Sequence, residues 1–198
     1  VTNNDELIKF CKGTGLRRSE LGMLKGGDLV TKEEIEREIA VIESVPVQER
    51  TPAEEKRLGV LQDTRLFDCR YYIHVRNGKG GRERVSPIIG KNAAQIVERI
   101  RNTPNDEKVW QHIHTSADIH GYRAEYATAI YKAHARAIED IPYDRVNKGT
   151  GRKFQSDVYT CRKDESGKKL DKKAMLICSK ALGHNRIEVV ANNYIRGL

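Results

Sequence analysis

Apolar residues recur at helical spacing along much of this chain, which is the pattern of amphipathic helices. Leu7, Ile8 and Cys11 lie on one face of such a helix over residues 5–12. The same pattern predicts further helices over residues 17–25, 91–102, 118–137 and 173–182, and a final helix that carries Tyr194. We therefore expect a mainly helical protein.

Strand patterns are fewer and come in pairs. Residues 67–76 are rich in aromatic and β-branched side chains, and a second strand over residues 82–89 follows the glycine-rich turn at 77–81. Another hairpin is predicted for residues 154–162 with 167–172. Together these patterns predict the α+β class, mainly α with a small antiparallel β-sheet.

The segment at about 31–65 differs in character from its surroundings. Thr31 and Thr51 each begin a capping box, the second with Pro52 at the first helical position, which predicts a helical hairpin. The segment contains nine acidic and six basic residues, a net charge of −3, so the rest of the chain carries +11. We expect it to lie away from any bound phosphates.

The overall charge and the cysteines narrow the class of protein. A chain of 198 residues suffices for a single domain, and its net charge of +8 favours a polyanionic partner such as nucleic acid. The cysteines are far apart and form no CxxC pair, which argues against a zinc ribbon and a disulfide scaffold and favours a reducing, intracellular environment. No apolar run is long enough to span a membrane, so no membrane partner is expected.

Several short motifs carry groups suited to phosphate chemistry. His120 and Arg123 are three residues apart on a predicted helix and point to the same side. Arg17 lies near a helix N-terminus with Glu20 one turn on, and Lys79 lies in the predicted glycine-rich turn. Each motif alone has an ordinary alternative, a solvated helix start or a solvated turn.

A metal site has little support in the sequence. The nearest candidate is the pair His112 and His114, and an HxH pair is more often ordinary surface than a metal site. We expect neither a metal nor another cofactor.

The order of the motifs is more informative than any one of them. The chain contains TGLRRSEL at 14–21, GKGGRER at 78–84, HGYR at 120–123, ALGHNR at 181–186, and then Tyr194. This series closely resembles the tyrosine recombinase (integrase) family of phages and integrative elements. The resemblance implies the family's catalytic-domain fold, mainly helical with a small antiparallel sheet on one edge.

The resemblance also implies a set of catalytic cations. Arg17 and Arg123 match the two arginines that clamp the scissile phosphate. Lys79 matches the lysine that acts as general acid for the departing 5′ oxygen. Arg18 is adjacent to Arg17, but the family pattern favours Arg17.

The remaining catalytic roles follow from the same resemblance. Tyr194 matches the nucleophile that forms a 3′-phosphotyrosyl bond, His120 the histidine that helps handle the tyrosine proton, and His184 the histidine that hydrogen-bonds the phosphate. The implied function is site-specific DNA recombination, the integration or excision (transposition) of a mobile element.

Partners and domain organisation are expectations of the same kind. The expected partners are double-stranded DNA, other protomers in a synaptic tetramer and accessory DNA-bending proteins. The expected location is the cytoplasm, where a bacterial or phage-encoded protein would act on the chromosome. We expect residues 1–198 to form one catalytic domain, monomeric without DNA, with the family's N-terminal DNA-binding domains absent. The helical hairpin at about 31–65 is longer than the family's usual short link, so the resemblance implies that it is an insertion. Candidate contacts to the DNA backbone are Arg152, Lys153, Arg162 and Lys163.

Two alternative functions remain open at this stage. A type IB topoisomerase has the same tyrosine and cation chemistry but relaxes supercoils without paired sites. A basic DNA-binding module without catalysis keeps the net charge of +8 and needs none of the motifs. Replacing Tyr194 with phenylalanine separates the DNA-binding module from the two enzymes, because the change abolishes an enzyme's DNA cleavage and leaves DNA binding intact.

Overall fold

Helices dominate the part of the chain that the structure, a computed structural model, describes: residues 2–141, 157–162, 165–184 and 186–195. In these ranges the α-helices are α1 Thr2–Thr14, α2 Arg18–Met23, α3 Lys32–Glu43, α4 Pro52–Gln62, α5 Ala93–Arg101, α6 Ile119–His134, α7 Lys172–Leu182 and α8 Ile187–Asn193. The strands are β1 Leu29–Thr31, β2 Tyr71–Val75, β3 Arg84–Pro87, β4 Val158–Thr160 and β5 Lys169–Asp171. The prediction of a mainly helical α+β protein is confirmed.

The strands form two antiparallel sheets. In the larger sheet β2 lies between β1 and β3, and Ile73 is opposite Leu29 on one side and Ser86 on the other. In the smaller sheet β4 pairs with β5, with Tyr159 opposite Leu170. Both predicted hairpins are therefore present, with strands shorter than the sequence pattern indicated.

Local hydrogen bonds explain where several helices begin. At the start of α3, the Thr31 hydroxyl accepts from the Glu34 amide at 3.2 Å, and the Glu34 carboxylate accepts from the Thr31 amide at 2.7 Å. The capping box at Thr51 has the same geometry. Asp118 accepts from the Gly121 amide at 2.9 Å and thereby begins α6.

The buried apolar side chains form two clusters that meet at the larger sheet. Neighbouring residues of β2 point to opposite faces, so Tyr72 enters one cluster and Ile73 the other. The first cluster packs α3 and α4 against α6, α7 and α8, and the second packs α1, α2 and α5 on the other face of the sheet. Tyr126 of α6 is fully buried in the first cluster.

The helical hairpin formed by α3 and α4 is part of this core. Ile35, Ile39 and Leu61 are buried in the same cluster as Tyr126 of α6. The segment interpreted as an insertion therefore stabilises the domain directly, since its apolar face is removed from water by the central helices.

The end of α8 differs from the prediction. Tyr194 is the C-cap residue that follows the helix, with φ −125° and ψ −36°, and is not in the helix itself. The amides of Tyr194 and Ile195 both donate to the Val190 carbonyl, at 3.0 and 3.1 Å. The chain turns at this point, and both side chains are buried.

Among the described residues, no helix combines the length and apolar character that crossing a membrane requires.

Candidate active site

The candidate site is centred on the C-terminus of α7. The helix ends at Leu182, and Gly183 follows with φ 70°, the left-handed conformation that favours glycine. A Cβ at Gly183 would lie 2.9 Å from the Arg84 side chain. The last carbonyls of a helix lack partners within it, so those of Ala181 and Leu182 are free to accept from side chains.

Three arginines from distant parts of the chain meet at this helix end. Arg84 donates from Nε to the Ala181 carbonyl at 3.1 Å. Arg123 and Arg17 both donate to the Leu182 carbonyl, at 2.6 and 3.3 Å. The negative end of the helix dipole favours cations at this position. The three guanidinium groups therefore form one cluster.

Glu20 is the carboxylate that pairs with this cluster. Arg84 donates to both of its oxygens, at 2.7 and 2.8 Å, and Arg17 Nη1 donates to Oε1 at 2.7 Å. Burial favours the neutral acid, but the hydrogen bonds and charges of the two arginines outweigh it and lower the pKa of Glu20 to about 2. The cluster thus contains three guanidinium groups and one carboxylate, and its positive surplus suits an anion.

Arg123 connects the cluster to Tyr194. Its Nε donates to the tyrosine Oη at 3.2 Å, and its Nη1 donates to the Gly15 carbonyl. The residue is 2% exposed, and burial, together with Arg84 and Arg17, lowers its pKa to about 10. The guanidinium therefore remains charged at neutral pH.

Two histidine rings flank Tyr194. The ring centres of His120 and His184 lie 5.2 and 5.4 Å from that of the tyrosine. His184 Nε2 is 3.4 Å from Arg123 Nη2. Burial and the nearby Arg123 and Arg17 lower the pKa of His184 to about 4, so the ring is neutral at pH 7 and accepts from Arg123.

One open cleft of about 440 Å³ brings the predicted residues together. Its lining includes Arg17, Lys79, His120, Arg123 and Tyr194. Lys79 reaches it from the exposed turn between β2 and β3. The sixth predicted residue, His184, does not line the cleft but contacts Arg123 and Tyr194, which do.

The other residues singled out from the sequence have different positions. Arg162 is exposed beyond β4 and is not part of the cleft lining, while Arg152, Lys153 and Lys163 lie outside the described residues. His112 and His114 are exposed in a loop, with ring centres 6.4 Å apart. The described residues contain no group of three or more side chains placed to hold a metal ion.

Arg84 is a member of the site that sequence reasoning missed. The sequence places it in a strand beside the basic turn, where an arginine is expected on the solvent side. Alternation along β3 places Arg84 and Ser86 on the same face, where both bond to the Ala181 carbonyl, but alternation alone does not tell which face is buried.

Arg17 and Arg18 form hydrogen bonds with different partners in the structure. Arg17 bonds to Glu20 and to the end of α7. Arg18 instead donates to the carbonyls of His114 and Ala117, at 2.9 and 2.6 Å, and so holds the loop that precedes α6. Arg17 is therefore the member of the arginine cluster, although both residues border the cleft.

A second cavity of about 540 Å³ lies beside β2 and has a different character. Met23, Ile73 and Val75 contribute apolar surface to it, while Arg76 and Asp28 form an ion pair with each other at 3.1 Å. Tyr194 and the histidines that flank it are absent from its lining, so we place the candidate chemistry in the cleft described above.

Comparison with profiles of known protein families, with characterised protein sequences and with solved structures found no match.

Proposed function

We propose that this protein is the catalytic domain of a tyrosine recombinase, which cuts and rejoins DNA through a covalent bond between Tyr194 and a 3′ phosphate. One observation carries the proposal. Arg17, Lys79, Arg123 and Tyr194, which are far apart in sequence, line the same open cleft. Their motifs also follow one another in the order that the sequence resemblance implies.

The first chemical step is attack of the Tyr194 hydroxyl oxygen on the scissile phosphorus. A phosphorus–oxygen bond to Tyr194 forms, and the bond to the 5′ oxygen breaks. Arg17 and Arg123 neutralise the charge that builds on the non-bridging oxygens, each worth roughly 3–4 kcal/mol by analogy with oxyanion-hole donors. Arg123 already donates to the tyrosine oxygen at 3.2 Å, so nucleophile and cation are in contact before DNA binds.

Two groups near the tyrosine move the protons. Lys79 supplies a proton to the departing 5′ oxygen, and His120 takes up the proton that Tyr194 releases. His184, which burial holds neutral, accepts from Arg123 through Nε2 and so helps to hold that guanidinium in place for the phosphate. Rejoining reverses these steps with a 5′ hydroxyl as nucleophile, and the phosphotyrosyl bond conserves the energy, so no ATP is needed.

Covalent trapping tests the proposal. The protein is mixed, in EDTA, with a pool of nicked duplexes of randomised sequence whose cleaved end diffuses away, and adducts that survive SDS are recovered and sequenced. Tyr194→Phe removes the nucleophilic hydroxyl. Tyr122→Phe is the matched control, because Tyr122 lies between His120 and Arg123 on α6 but does not line the cleft.

The expected result is an adduct with the wild-type protein and with Tyr122→Phe, and none with Tyr194→Phe. An adduct that persists in Tyr194→Phe contradicts the assignment of the nucleophile. If the protein retards the DNA pool on a gel but no sequence yields an adduct, the chain is a DNA-binding module without this chemistry. Relaxation of a supercoiled plasmid that lacks paired sites would favour the topoisomerase alternative.

A further inference from the structure

Arg57 of α4 links the helical hairpin to the hairpin that carries Lys79. Its guanidinium forms a two-point pair with Glu38 of α3, at 2.7 and 2.9 Å. Its remaining nitrogen, Nη1, donates to Glu83 and lies 3.0 Å from His74 Nε2. One side chain therefore contacts α3, β2 and the residue that precedes β3.

This contact lies close to the glycine-rich turn at 77–81 that carries Lys79, which we call the lysine turn. Glu83 is four residues after Lys79 and directly before β3, and its Oε1 is 2.5 Å from His74 Nε2 of β2. The side chains of Arg57 and Glu83 are 22% and 25% exposed, so the pair is partly shielded from water and from screening by salt. Arg57 thus holds both strands of the β2–β3 hairpin at the end where the turn begins.

The tip of the turn has little packing, whereas a Cβ at Gly78, at its start, would lie 3.4 Å from the Arg84 side chain. Gly80 and Gly81 have φ values of 75° and 70°, and added Cβ atoms at either position would meet nothing within 4 Å. Its backbone bonds are those from Gly78 to Arg82, at 2.8 Å, and from Gly81 to Gly78, at 2.9 Å. Because glycine has wide conformational freedom, such a turn needs support from outside to hold a side chain in place.

We propose that Arg57 is a positioning residue for Lys79, and that the helical hairpin braces the lysine turn against the cleft. This inference rests on the proposed function, in which Lys79 protonates the departing 5′ oxygen. Proton transfer needs the two heavy atoms within hydrogen-bond reach, and a displacement of about 1 Å can cost on the order of 100-fold in rate. The brace would therefore act on protonation of the leaving group more than on DNA binding.

The test compares two leaving groups. One DNA substrate, with the sequence recovered by trapping, has the natural 5′ bridging oxygen, and the other has sulfur in its place. In the sulfur substrate the P–S bond breaks and the thiolate leaves with the electron pair; a thiol has a pKa of about 8.5, so it needs no proton from Lys79. Arg57→Met keeps most of the length of the side chain and removes the guanidinium group that bonds to Glu38 and Glu83.

Arg65→Met is the matched control for Arg57→Met. Arg65, which lies just after α4, forms a similar two-point pair with Glu36 of α3, at 3.1 and 2.7 Å. It makes no contact with Glu83 or His74. Glu83→Gln weakens the brace from the other side and guards against a folding defect specific to Arg57→Met.

We expect Arg57→Met and Glu83→Gln to slow cleavage of the oxygen substrate about 10- to 100-fold, as a displaced general acid would. On the sulfur substrate both should be close to wild type, the profile also expected of Lys79→Met. Arg65→Met should match wild type on both substrates. An equal loss on both substrates, or no loss on oxygen, overturns the inference.

Hydrogen exchange of the protein without DNA separates this inference from the proposed function. Arg57→Met should accelerate exchange of the amides at 76–83, and Arg65→Met should not. Unchanged exchange in Arg57→Met overturns the brace whatever the chemistry. If wild type cleaves neither substrate, the proposed function fails, and faster exchange would leave the brace as a purely structural element that positions no general acid.

Discussion

Replacing Glu20 with glutamine removes the negative charge from the arginine cluster and keeps the size of the side chain. In the wild type this carboxylate, 2% exposed, accepts three hydrogen bonds from guanidinium groups and one from the Arg17 amide at 2.8 Å. Glutamine retains one acceptor oxygen and places a donor amide against Arg84. The variant therefore leaves buried positive charge without a partner.

Two estimates of the cost agree. Breaking a buried ion pair by removing one charge typically costs about 3–5 kcal/mol. The depression of the Glu20 pKa from 4.5 to about 2 corresponds to roughly 3 kcal/mol at neutral pH. We expect Glu20→Gln to lower the free energy of unfolding by about 3–5 kcal/mol at pH 7.

The pH dependence makes this prediction specific. The folded-state pKa is lower than the unfolded one, so the stabilisation is complete above pH 4.5 and is lost as the pH falls toward 2. By pH 3 about 2 kcal/mol of the difference between wild type and variant should have disappeared. Urea unfolding, followed by circular dichroism at several pH values, measures both quantities.

Glu125→Gln is the control for Glu20→Gln. Glu125 pairs with Lys12 at 2.9 Å, but the side chains are 58% and 39% exposed, so its loss should change stability by less than about 0.5 kcal/mol. A cost for Glu20→Gln below about 1 kcal/mol at pH 7, or one that stays constant down to pH 3, would refute the account of the cluster given above.

Two further predictions concern the end of α7. Gly183→Ala should lower the free energy of unfolding in urea by about 1–2 kcal/mol, because the φ of Gly183 is 70° and the new Cβ would crowd Arg84. As a control, Gly59→Ala, in open space on α4, should raise it by about 0.5–1 kcal/mol, and an equal loss of stability in both variants would contradict the prediction. By NMR, His184 should titrate near pH 4, because burial and Arg123 disfavour its charged form; a midpoint at pH 6 or above would count against the described contact.

The local features of the fold were predictable from the sequence. The capping boxes at Thr31 and Thr51 are satisfied by residues within one turn, so their hydrogen bonds need no tertiary information. The turn at Lys79 was predictable for the same reason, since glycines at 80 and 81 adopt the positive φ values that it needs. Local motifs of this kind contain four of the site residues, Arg17, Lys79, His120 and Arg123.

The contacts that assemble the site were not predictable in this way. Nothing within a few residues of Arg84 indicates that it points inward, because its partners Glu20 and Ala181 come from other elements. Only the resemblance favoured Arg17 over Arg18, whereas in the structure the direction of each side chain distinguishes them. Likewise, the resemblance implies that α3 and α4 are an insertion, but it does not indicate that their buried isoleucines and leucines join the central core.

The shared dependence of Arg17, Arg84 and Arg123 on one helix end has a consequence for how the chain tolerates length changes. Deleting one residue within α7 would rotate its last carbonyls by about 100° relative to its buried face. All three cations would then lose their common acceptors in a single event. A one-residue deletion at Ser166, which is exposed before β5, would leave those bonds intact. Insertions and deletions across α7 should therefore be far more damaging than substitutions on its exposed face.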